Sequence, residues 1–303
     1  MSYVLRKRMK CAIIGSRESN MPNITRRSFV RSAALAGAYA HLGGAAPRNL
    51  RIGVTDWNLR LDAKTEAVTL AKELGFDGIQ ISFGRQVADN KLPLDNPELI
   101  ARYVQLAAEN RIPICGTCLD RLHVDGLKNS KVAAKWVLDS IRLTKALGTK
   151  VILLPFFGKC AMQNEAERNA VGDALRDLAP EAEKAGVILG LEDTISAEDN
   201  VRVMERSRSG SVLVYYDVGN STNNGFDVVK EIRWLGKERI CQIHLKDNPN
   251  YLGEGKIQFP PIMQAIRDIG YVGYANLETN THRGSTVEAD MRKNLAYVRK
   301  LEG

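Results

Sequence analysis

The chain has 303 residues, with 43 lysines and arginines against 35 aspartates and glutamates, a formal net charge of +8 at pH 7. Nine of the basic residues and one acid, Glu18, fall within residues 1–50, so residues 51–303 carry 34 charges of each sign and no net charge. That neutral body lacks the basic footprint of nucleic-acid binding, and five cysteines are too few and too odd a set for a disulfide framework.

The first 47 residues read as a basic extension and export signal, separate from a domain spanning 48–303. Arg26-Arg27-Ser28-Phe29-Val30 precedes about fifteen uncharged residues rich in Ala and Gly, a run too short for a bilayer core of ~30 Å. Basic and apolar regions in that order resemble a twin-arginine signal, which implies the twin-arginine translocase as a partner, a periplasmic or cell-envelope address and no stable membrane anchor. Met21 is a conventional start for such a signal.

From Arg51 onward, short apolar runs alternate with amphipathic stretches. Strands are expected near Ile52, Gly78, Ile112, Val151, Val187, Val212, Ile240 and Gly273, with helical periodicity over 66–74, 97–110, 132–147, 165–185, 228–235 and 261–269. Gly75, Gly148, Gly186 and Gly270 stand where left-handed helix ends are needed. Strands of near-continuous apolar character that repeatedly follow helices imply a parallel, helix-covered sheet. Eight such units in about 250 residues favour a single closed (β/α)8 TIM barrel. The first strand ends in Thr55-Asp56-Trp57-Asn58 without a glycine-rich phosphate turn, which disfavours a dinucleotide enzyme. Cys115-Gly-Thr-Cys118 lies in an apolar run and reads as a buried pair.

In such a barrel, chemistry sits at the C-terminal strand ends. The last four strands end in Glu192-Asp193, Asp217, His244 with Lys246-Asp247, and Glu278. An uncompensated charge at the end of an apolar run costs several kcal/mol, so four in succession point to a shared partner. Glu192, Asp217, His244 and Glu278 form a candidate ligand set for one divalent metal ion. Three carboxylates and one imidazole suit Mn2+ first, then Mg2+, Co2+ or Zn2+. Asp193 and Asp247, one residue further on, point to the other strand face and are expected to cap or support.

The motifs LGLED, YYDVGN, QIHLKDN with LGEGKIQFPPIM, and YANLET resemble the sugar phosphate isomerase/epimerase family, the xylose isomerase-like barrels that include ketose 3-epimerases and keto-sugar enzymes. The resemblance implies that the four residues bind one divalent ion and that Glu192 and Glu278 are the catalytic acid/base pair. It places Glu254, in the Gly253-Glu254-Gly255 turn, near the substrate. Lys246, Asn220, Trp57, Gln80 and His123 join it as substrate-binding candidates. Lys159 and His282 are further polar ones, and Phe83, Phe156 and Phe157 are expected to form an apolar wall. Asn220 and Asn250 depart from the histidine and arginine of ketose 3-epimerases, which argues against a free-ketose enzyme of that type. The expected reaction is isomerisation or epimerisation of a sugar or keto-sugar by proton abstraction α to a carbonyl. A 3-keto-glycoside lyase using the same residues is the alternative, followed by a non-catalytic sugar-binding barrel. A homo-oligomer is compatible with the sequence.

Overall fold

The computed structural model describes residues 49–302; the basic extension and the signal read over residues 1–47 lie outside the described residues. Eight strands among them form one closed parallel barrel: β1 (Leu50–Thr55), β2 (Gly78–Ser82), β3 (Ile114–Cys118), β4 (Val151–Pro155), β5 (Ile188–Glu192), β6 (Val212–Asp217), β7 (Ile240–Leu245) and β8 (Gly273–Leu277). Closure runs along β1 and β8, in register from Leu50 opposite Gly273 to Val54 opposite Leu277.

The helices are α1 (Glu66–Leu74), α2 (Pro97–Asn110), α3 (Lys131–Ala146), α4 (Glu165–Ala185), α5 (Ala197–Ser207), α6 (Val218–Asn223), α7 (Val228–Leu235), α8 (Phe259–Asp268) and α9 (Val287–Leu301). Side chains of Asn96, Ser130, Asn164, Ser196 and Thr286 cap helix starts by accepting backbone N–H bonds. The four expected glycines end their helices with positive φ, from 64° to 91°. Among the described residues no helix is long and apolar enough to cross a membrane.

Three helices escaped the apolar periodicity. The buried face of α5 contains Asn200 and Ser207, and that of α9 contains Asp290 and Asn294. Polar residues on an inward stripe thin out the apolar positions that mark a helix while the amphipathic backbone pattern remains. The third, α6, is a short extension of β6 started by Asp217 itself.

Strand side chains alternate between two environments. Ile52, Val54, Ile79, Ile81, Leu189, Leu191, Ile243 and Leu245 are fully buried in the main apolar cluster shared with the helices. The opposite face fills the barrel interior, and there the composition is partly polar: Gln80, Tyr215, Gln242, His244 and Asn276 are all buried. Space for these long side chains comes from small neighbours. A Cβ on Gly53 would lie 2.0 Å from Asn276 Oδ1, so any larger residue on that part of β1 collides with the interior.

Candidate metal centre

The four strand-end residues converge. Glu192 ends β5, Asp217 ends β6, His244 lies on β7 and Glu278 follows β8, and one ligand atom from each falls within 4.8 Å of every other. His244 Nδ1 is 2.9 Å from Glu192 Oε1, 3.5 Å from Glu278 Oε2 and 3.6 Å from Asp217 Oδ2. Glu192, Asp217 and His244 are sealed, whereas Glu278 retains 17 % side-chain exposure and faces the opening.

The other ring nitrogen fixes the chemistry of the first. His244 Nε2 lies 2.9 Å from Gln80 Oε1, an acceptor, so Nε2 carries a hydrogen and Nδ1 is the atom turned toward the three carboxylates. A lone pair meeting three carboxylates at one point needs a cation there, either a proton or a metal ion. Asp217 Oδ2 is buried without a well-directed hydrogen bond, its nearest cation being Lys246 Nζ at 2.8 Å. Three carboxylate oxygens, one imidazole nitrogen and a buried oxygen with unmet bonding capacity fit a divalent ion of the hard to intermediate kind.

Charge and burial shift the titration of these groups in opposite directions. Burial pushes Glu192 up to about 7 against the opposing pull of His244. Burial alone would lower His244, but Glu278 and Glu192 outweigh it and raise the imidazole to about 10. Asp217 is held well below the usual carboxylate range because Lys246 and His244 overcome the cost of its burial. Lys246 is itself raised above the ordinary amine value: desolvation is overcome by Asp217, Glu278 and Glu192.

The remaining candidates divide by position. Lys246 Nζ bridges Asp217 Oδ2 at 2.8 Å and Glu278 Oε2 at 2.5 Å. Trp57 Nε1 donates to Glu278 Oε1 at 3.1 Å, and its ring meets His244 edge to face at 6.0 Å. Asn220 donates its backbone N–H to Asp217 Oδ1 at 2.7 Å, while its side-chain Nδ2 is buried without a hydrogen-bond partner. Gln80 is fully buried beneath His244. His123 stacks on Phe157 at 5.7 Å; burial, with Arg85 assisting, lowers its imidazole to about 4.

Glu254 is not brought to the ligand group: its carboxylate pairs with Lys293 of α9 at 2.7 Å and is more than half exposed. His282 stacks on Tyr251 at 3.7 Å and lies 3.1 Å from Asp290 through Nδ1. The expected apolar wall is corrected in part, because Phe83 and Phe156 are sealed in the core, whereas Phe157 keeps partial exposure. Asp193 turns away to accept from Ile195 N and Asn200 Nδ2, and Asp247 accepts from the amides of Gly255 and Ile257. Cys115 and Cys118 are free, buried thiols.

Two groups of polar residues were not singled out in the sequence. At the ends of the first three strands, Ser82 Oγ donates to Asp120 Oδ2 at 2.6 Å, and Asp56 Oδ2 accepts from the amides of Ser82 and Ala63. Burial, with Asp120 adding to it, raises Asp56 well above the ordinary carboxyl value. The second group is the layer under the ligands: Tyr215, Gln242 and Asn276 each stand two residues before Asp217, His244 and Glu278. That strand period was the available signal.

A family model described as xylose isomerase-like TIM barrel matches residues 68–301. The 2-epi-5-epi-valiolone 7-phosphate 2-epimerase of Actinoplanes sp. is 26% identical over 204 residues, covering 66% of this chain and 73% of that protein. The L-ribulose-5-phosphate 3-epimerase of Salmonella heidelberg is 25% identical over 260 residues, 77% of this chain and 87% of the relative. Among solved structures, D-psicose 3-epimerase from Clostridium cellulolyticum H10, determined with D-tagatose, superposes with a TM-score of 0.69 at 18% identity, over 83% of this chain and 99% of that one; it supports the fold. By its family match and its epimerase relatives, the chain belongs to the xylose isomerase-like TIM barrels and is an enzyme of the isomerase/epimerase class.

Proposed function

We propose that the protein is a divalent-metal-dependent epimerase or isomerase of a sugar or keto-sugar, working by proton abstraction α to a carbonyl. The observation that carries the reading is the meeting of His244 Nδ1 with the carboxylates of Glu192, Asp217 and Glu278 at one point. Those four residues would hold the ion, with Mn2+ the first candidate and Mg2+, Co2+ or Zn2+ compatible with the donors. When bound, the ion polarises the substrate carbonyl and stabilises enediolate charge as it develops.

The chain's own residues supply the proton transfers. Glu192, a sealed carboxylate 2.9 Å from His244, is the base. It takes the α-hydrogen as a proton and leaves the electron pair on the substrate. Glu278, at the open side and held by Trp57 and Lys246, returns a proton to the opposite face for epimerisation or to the neighbouring carbon for isomerisation. Asn220, Trp57, Lys246 and His123 would bind hydroxyls or stack on the ring. Gln80 acts from below, through His244. The names of the two curated relatives specify a 7-phosphate and a 5-phosphate substrate, which supports testing phosphorylated substrates beside free ones.

Export by the twin-arginine route is part of the proposal and rests on Arg26-Arg27-Ser28-Phe29-Val30 and the uncharged run after it. N-terminal sequencing of the exported protein tests it: removal of the signal near Ala45 or Ala46 supports it, and an intact Met1 overturns it. For the activity, Mn2+-loaded protein is incubated in D2O with free ketoses, ketose 5-phosphates and 3-keto-glycosides. Loss of an α-proton NMR signal with a change of stereochemistry supports an epimerase, and aglycone release marks a lyase. Silence across all three classes contradicts the reading.

A further inference from the structure

Beneath the metal ligands, the barrel interior holds a continuous hydrogen-bonded chain. Gln242 Nε2 donates to the Cys115 backbone carbonyl at 2.5 Å, which turns Gln242 Oε1 toward Asn276 Nδ2 at 3.0 Å. Asn276 Nδ2 also donates to the Tyr215 hydroxyl oxygen at 2.6 Å. With its oxygen already receiving a donor, Tyr215 has one hydrogen to give and two acceptors in reach, Gln80 Oε1 at 2.9 Å and Gln242 Oε1 at 3.1 Å. Gln242 Oε1 already receives Asn276, and the shorter contact directs the hydrogen to Gln80. The Gln80 amide nitrogen faces the Thr117 carbonyl at 3.4 Å, so a flipped amide would set two oxygens against each other. Gln80 Oε1 therefore stays turned toward His244 Nε2, 2.9 Å away.

The sheet is built around this chain. Its strand pairings shift register at two places: between Ile79 and Gln80 against β3, where Cys115 is the extra residue, and between Val214 and Tyr215 against β7, where Cys241 is. A bulge re-aims the side chains beside it, and both bulges fall where the chain needs a side chain directed inward. The Tyr215 ring also packs against the imidazole, with centroids 4.6 Å apart and planes at 62°.

From this we infer that Gln80, held by Tyr215, is the positioning residue of the centre: it orients the His244 ring and keeps a hydrogen on Nε2, so that Nδ1 is offered to the divalent ion. The inference rests on the metal reading proposed above. Acceptors on the far nitrogen of a ligating histidine typically contribute 10- to 100-fold in metal affinity.

The test measures Mn2+ affinity by calorimetry on the whole protein, with thermal melting as a check on folding. Gln80→Met keeps length and apolar packing but has no acceptor, and its Mn2+ Kd is expected to rise about 10- to 100-fold. Tyr215→Phe removes only the hydroxyl that holds Gln80 and should weaken Mn2+ by a smaller factor, roughly 3- to 10-fold. Gln80→Glu, which as the neutral acid retains both an acceptor oxygen and a donor for Thr117, should bind Mn2+ within about threefold of wild type or more tightly. Wild-type affinity in Gln80→Met overturns the inference, and so does an equal loss in Gln80→Met and Gln80→Glu, since that is a packing effect alone. No Mn2+ binding by the wild type overturns the metal reading itself, which distinguishes the two failures.

Discussion

Trp57 Nε1 donates to Glu278 Oε1 at 3.1 Å across the seam where the last strand closes against the first. The bond joins residues 221 positions apart and gives the most exposed of the four ligands a fixed orientation. Trp57→Phe keeps an aromatic ring and removes that donor. A hydrogen bond to a charged group is worth about 1.5–3 kcal/mol, so proton-exchange turnover should fall roughly 10- to 100-fold and the melting temperature by several degrees at most. Wild-type turnover in Trp57→Phe means that Glu278 needs no such support.

Three carboxylates facing one point make the folded state depend on a cation. Protein stripped with a chelator should therefore melt at a lower temperature than protein with saturating Mn2+. At 100 times Kd the stabilisation is about 2.7 kcal/mol, which for a barrel of this size corresponds to roughly 5–10 °C. Asp217→Asn should remove most of that difference. An equal metal-induced shift in Asp217→Asn would place the ion elsewhere.

Asp290 ties together the loops that follow the last two strands. It accepts from the Tyr251 hydroxyl at 2.7 Å, from the His282 amide at 2.6 Å and from the Ser285 hydroxyl. Burial alone would raise its carboxyl, but these bonds outweigh that and hold it at about 2. A carboxyl lowered from its unfolded value near 4 stabilises the fold fully above that value. The contribution fades as pH falls from 4 through the folded value. Asp290→Asn should lose about 2 kcal/mol at pH 7, read from urea midpoints, and the gap to wild type should narrow below pH 4. A gap that widens on acidification would contradict the assignment.

Much of the barrel was legible because its signals are local. Glycines at helix ends and apolar strand runs depend on neighbours in sequence, and Glu192, Asp217, His244 and Glu278 stand out as charges ending such runs. The helices α5 and α9 were hidden by Asn200, Ser207, Asp290 and Asn294, polar residues on faces that a periodic reading expects to be apolar. Gln80 was recognisable as a polar residue in a strand, but its partners come from elsewhere in the barrel, His244 on β7 and Tyr215 on β6. Glu254 lies in a glycine-flanked turn; the lysine that takes up its charge comes from α9, nearly forty residues later. Long-range pairings of that kind are set by the closed sheet and leave no local trace.

The most direct test of the proposed chemistry is solvent deuterium incorporation at the carbon next to the carbonyl, followed by NMR in Mn2+-loaded wild type and in Glu192→Gln. Wild type should exchange that hydrogen, stop when the ion is chelated and recover when it is returned. Glu192→Gln should fold and lose exchange by at least 100-fold, the scale of general base catalysis. Undiminished exchange in Glu192→Gln, or exchange that survives complete removal of the ion, would contradict it.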